Sequence, residues 1–170
     1  MRKARQPQQA SLEDSIQQFA STPRETNAGD PGCFGYWSKE EILNFLKELL
    51  EGERVGVTAY AAVARAAASD VADLAFESEL AQGAICILLK KEIAARAGAG
   101  VLRHKRTTAI FDVECSLRGM IAFAIRNQAR LADMIEDAVL NIFDSKLNAK
   151  LAYLLLLHRK QVEQLETFLT

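Results

Sequence analysis

Residues 38–64 read SKEEILNFLKELLEGERVGVTAYAAVA. Ile42, Leu46, Leu49, Val57, Tyr60 and Ala64 recur every three or four residues, the period of one helix face. Ser38 followed three residues later by Glu41 is a capping box, and Trp37 and Ile42 flank it as a hydrophobic staple. The pattern predicts a helix from Ser38 to about Ala68, roughly 45 Å long at 1.5 Å per residue. One member of the stripe is not apolar: Glu53 falls where a leucine is expected.

Three more helices follow from the same signals. Ser69-Asp70 opens a second, which runs to the AGAG stretch at 97–100, where glycine suits a C-terminal cap. A third spans about Glu114 to Ile142, and Asp144 or Ser145 caps a fourth that reaches about Leu169. The three prolines, Pro7, Pro23 and Pro31, all precede residue 32, so none interrupts these helices. Helices one and two, and helices three and four, are joined by a few residues each, which makes each pair antiparallel neighbours. Between helices two and three lie about 16 residues, enough to span roughly 50 Å if extended. An all-α four-helix bundle over 38–169, with one long crossover, is the expected fold. An up-down-up-down bundle with a long loop is the other topology these lengths allow. Residues 1–37 are expected to form a polar N-terminal extension, either loosely ordered or a docking arm anchored by Phe19, Phe34, Tyr36 and Trp37.

Each helix carries a polar interruption near its middle. Glu53 breaks the first stripe. Gln82 breaks the second, Leu74-Ser78-Gln82-Ile85-Leu89, with Glu79 beside it. Gln128 breaks the third, Val113-Leu117-Ile121-Ala124-Gln128-Leu131-Ile135-Ala138. His158, at the end of the run LLLL at 154–157, breaks the fourth. Helices of similar length packed side by side bring these residues to one level, where groups cut off from water must find one another.

The first helix, LNFLKELLEGERVGVTAYAAVA at 43–64, resembles that of bacterial ferritin-like proteins, in particular small uncharacterised ferritin-like domains, with Glu53 at the first ligand position. The resemblance follows helix order across 38–169. Members with a di-iron centre carry one glutamate on each of two helices and Glu-x-x-His on the other two. Against that pattern Glu79-Leu80-Ala81-Gln82 has glutamine in the histidine slot, Arg126-Asn127-Gln128 lacks the third-helix glutamate, and Leu155-Leu156-Leu157-His158 keeps only the histidine. The resemblance therefore implies a degenerate di-iron site. Its expected polar cluster is Glu53, Glu79, Gln82, Arg126, Gln128 and His158, with Arg126 or protonated His158 as counter-ion to a carboxylate.

The expected function is that of a non-catalytic domain acting through protein contacts, as a homodimer or an accessory subunit, without cofactor. The alternative is a metal protein or oxidoreductase that holds one iron or manganese through Glu53, Glu79 and His158, so an enzymatic role stays open. A net charge of −1 gives no electrostatic case for nucleic acid or an acidic membrane, and no apolar run is long enough to span a bilayer. The basic run Arg103-His104-Lys105-Arg106 lacks aromatic interleaving and a glycine-rich cradle, and reads as a solvated loop. Cys33, Cys86 and Cys115 form neither a disulfide framework nor a metal motif, which points to a reducing, cytoplasmic setting.

Overall fold

A computed structural model describes residues 35–97 and 116–169. The chain parts between Asp30 and Pro31 into two units, and the first lies wholly outside the described residues. So do the crossover at 98–115, the basic run at 103–106, and the expected anchors Phe19 and Phe34. The described residues form four α-helices and no strand: α1 Lys39–Ala66, α2 Asp70–Ala97, α3 Leu117–Asn141 and α4 Ser145–Glu166.

The caps explain the starts. Ser38 Oγ accepts from the Glu41 amide at 3.3 Å, and the Glu41 carboxylate accepts from the Ser38 amide at 2.7 Å. Trp37 stacks at a tilt on Phe45, ring centroids 5.4 Å apart. Ser116 caps α3 by accepting from Gly119, and Asp144 caps α4 by accepting from Lys146 and Leu147 at 3.0 Å each. α1 stops at Ala66, two residues before the expected end, because Ala67 is already extended. The chain then turns into α2 through Ser69, whose φ of +46° is left-handed. α4 ends at Glu166, and Phe168 and Leu169 close it with i→i+3 backbone bonds.

Contacts between the helices fix their directions. The Trp37 amide, at the start of α1, donates to the Asn141 carbonyl at the end of α3 (2.8 Å). Arg96 at the end of α2 pairs with Asp144 at the start of α4 (2.6 Å), and Lys150 pairs with Glu92. One end of the bundle therefore gathers the starts of α1 and α4 and the ends of α2 and α3. α2 and α3 run in the same direction, so the residues that join them connect opposite ends of the bundle.

Two apolar cores result. Leu46, Leu49, Leu89, Ile93, Ile135, Leu147 and Leu151 fill the end just described. Ala59, Tyr60, Val63, Ala75, Ile121, Ala124 and Leu165 fill the other. On every helix the buried side chains between the two clusters are polar: Glu53, Ser78 and Gln82, Asn127 and Gln128, His158 and Gln161. α1 and α3 are close there: a Cβ on Gly52 would run into Leu131 Cδ2, and one on Gly56 would lie 3.0 Å from Gln128 Nε2 and 3.3 Å from Asn127 Nδ2. Glycine at both positions gives the room that approach needs. No described helix is long and apolar enough to cross a membrane.

Candidate functional site

Glu53, Gln82, Gln128 and His158 each have 0 % of their surface exposed. Each belongs to a different helix, and each lies between the two apolar clusters. Gln128 Oε1 accepts from Gln82 Nε2 at 3.2 Å and faces His158 Nδ1 at 2.5 Å. Gln82 Nε2 also donates to Gln161 Oε1 at 3.1 Å. Asn127 Nδ2 donates to the Gly52 carbonyl at 3.2 Å, tying α3 to α1 beside the layer. His158 Nε2 and Glu53 Oε1 stand 2.9 Å apart, close enough for an ion pair though outside the angles of a directed hydrogen bond.

The hydrogen bonds locate a proton. A carbonyl oxygen only accepts, so in this arrangement His158 Nδ1 carries hydrogen toward Gln128. Nε2 then faces the Glu53 carboxyl across 2.9 Å. Burial pushes the Glu53 carboxyl above its ordinary range, and the closeness of His158 pulls it partly back. The same burial raises the Tyr60 phenol, against the opposing pull of Ser78.

Several polar atoms in the layer have no hydrogen-bond partner: Glu53 Oε2, Gln82 Oε1, Gln128 Nε2 and the Tyr60 hydroxyl. Gln82 Oε1 and Gln128 Nε2 both lie over Gly56, at 2.6 and 3.0 Å from where its Cβ would be.

Two residues expected in the cluster are placed elsewhere. Arg126 is exposed, because two positions from Gln128 is about 200° around a helix. The counter-group to Glu53 is therefore His158, and not Arg126. Glu79 is half-buried; the face of α2 that enters the layer is set by Ser78 and Gln82, and Glu79 stands about 100° from Ser78. Gln161 and Asn127 belong to the layer and were not singled out from the sequence. Gln161 was detectable, since it follows His158 by three residues on the same face. Asn127 had no such signal beyond its place next to Gln128.

The donor set does not fit a di-iron centre. Among the described residues no three of His, Cys, Asp and Glu come together, and the layer offers one carboxylate, one imidazole and amides. Two irons need bridging carboxylates, and amide groups do not replace them. Cys86 is buried within the first core cluster, its thiol pushed up to about 11 mainly by burial, which favours the uncharged thiol. Two surface grooves, one lined by Trp37, Phe45 and Met134 and the other by Leu88, Ala149 and Tyr153, include no residue of the layer.

Fold and site together define a class: an all-α bundle of four helices whose core is divided by a sealed carboxylate–imidazole–amide layer. The chain belongs to the family described as Domain of unknown function (DUF6306), whose model matches residues 40–167. That span holds all but the first residue of α1, and every residue of the layer. No curated protein and no solved structure matches the chain.

Proposed function

We propose that this protein is a non-catalytic ferritin-like domain that works through protein contacts, as a homodimer or as an accessory subunit. Its polar layer stands where relatives of that fold hold a metal pair. The observation that carries this reading is the commitment of the layer to itself. Glu53 and His158 are wholly buried and face each other, and His158 spends its second nitrogen on Gln128. Nε2 is left facing the buried Glu53 carboxyl at 2.9 Å, away from the protein surface. The parallel course of α2 and α3 supports the ferritin-like connectivity, with its long crossover between the second and third helices. Large apolar residues exposed on α2, α3 and α4 support a role in contacts.

Elemental analysis of protein purified without chelator, joined to light scattering on the same sample, tests the reading. The expected result is metal far below one equivalent, with a melting curve that EDTA does not move. Stoichiometric iron or manganese that is lost in His158→Ala would overturn it. The rival, a single metal on Glu53, Glu79 and His158, has the unpartnered Glu53 Oε2 in its favour, and the same assay decides between the two.

A further inference from the structure

The outer face of α2 is apolar where a solvent face should be polar. Phe76, Leu80 and Ile87 are 55, 59 and 57 % exposed. With Asp73, Gly83 and Lys90 they form the series Asp73, Phe76, Leu80, Gly83, Ile87, Lys90, whose steps are three, four, three, four and three residues. That is the spacing of a two-stranded coiled-coil seam, with large apolar residues at three of its six positions. It spans about 25 Å. A helix apolar on both its inner and outer faces is one that expects a second layer of cover.

The series reads the same way from either end in spacing, and its ends carry opposite charge. Turned about a two-fold axis between Leu80 and Gly83, it meets itself. Asp73 then stands opposite Lys90 of the second copy, with Lys91 beside it. Phe76 stands opposite Ile87, and Leu80 opposite Gly83. A Cβ at Gly83 would meet nothing within 4 Å, so the seat for that leucine is open. Asp73 and Lys90 are exposed and make no ion pair among the described residues. An isologous contact requires such self-complementarity, and an unrelated partner would not.

We infer that the exposed face of α2 is the interface for a second copy of this chain, packed antiparallel across a two-fold axis with Leu80 seated on Gly83. The inference rests on the protein-contact reading above and names its partner. Sedimentation velocity and light scattering on the full chain, over a concentration series, test it with three variants. The wild type should be a dimer. Asp73→Lys should weaken it about tenfold or more, by setting lysine against lysine at both ends. Asp73→Lys combined with Lys90→Asp should recover most of that loss. Gly83→Arg should give a monomer whose circular dichroism melt is no lower than that of the dissociated wild type, since the position is open in the single chain and arginine favours helix. A wild type that stays monomeric at every concentration overturns the inference and leaves the accessory-subunit reading standing. A dimer indifferent to all three variants also overturns it, while showing that the protein does self-associate elsewhere. Stoichiometric metal at the layer would instead strike the underlying reading and leave this dimer intact.

Discussion

Glu53 is the residue on which the core is most exposed to error. It is a fully buried carboxyl, and its ion-pair partner among the described residues is His158. Removing only one of the two strands the other. Glu53→Ala is expected to cost about 3 kcal/mol in urea melts. Glu53→Leu with His158→Leu should cost clearly less than the sum of the two single changes, because contacting groups are not additive. Full additivity would mean that Glu53 and His158 do not share a site. A pH series gives a second check. Because burial raises the Glu53 carboxyl, the folded chain keeps a proton that the unfolded chain has released. Its contribution is complete below the unfolded value, about pH 4.3, and is lost as pH rises through the folded one. Glu53→Gln cannot titrate, yet its amide can still donate to His158 Nε2. Its stability relative to wild type should therefore climb as pH rises above about 4; a flat difference would contradict the raised carboxyl. The four wholly buried polar residues were legible in the sequence, since each interrupts an apolar stripe near its midpoint. Arg126 misled because matching it to a ligand position took no account of helical phase.

At the scale of helices, α1 and α3 are set together by two glycines one turn apart. Gly56→Ala tests how tightly. Alanine in a helix interior gains up to about 1 kcal/mol over glycine. Here its Cβ would stand 2.6 Å from Gln82 Oε1 and 3.0 Å from Gln128 Nε2, atoms at the ends of side chains already held by the layer. The expected net effect is a loss of about 1–3 kcal/mol, read by thermal or urea denaturation; a gain would show that the layer yields at little cost. The α2–α4 junction gives a different test. Asp144 caps α4 and pairs with Arg96, and these bonds, led by the Leu147 amide, hold its carboxyl below the usual range. A lowered value stabilises above about pH 3.9 and is lost as pH falls through the folded value. Asp144→Asn keeps an N-cap but drops the charge. It should be less stable than wild type near neutrality, with the gap closing as pH falls below about 3.9. A gap that does not close would assign the loss to the cap alone. The starts of α1 and α4 could be read from sequence because Ser38, Glu41 and Asp144 have a local chemical job. Gly52 and Gly56 could not, because their meaning depends on which helix lies opposite.

For the whole molecule, helix content and the two antiparallel pairs followed from period and short joints. The sequence left two courses open for the longer link. The choice between them is made by groups far apart in the chain, Trp37 with Asn141 and Arg96 with Asp144, which no local pattern announces. The first of these contacts has a practical consequence. Trp37 is the only tryptophan in the chain, and its amide is bonded to the far end of α3 while its ring lies on Phe45. The protein thus carries its single tryptophan fluorophore at the joint between its first and third helices. Emission reports whether that joint is closed, whereas far-ultraviolet dichroism reports helix wherever it survives. Coincident curves from the two would mean that the halves on either side of the polar layer melt as one. An emission change that runs ahead of the dichroism would locate the first opening at the Trp37 end.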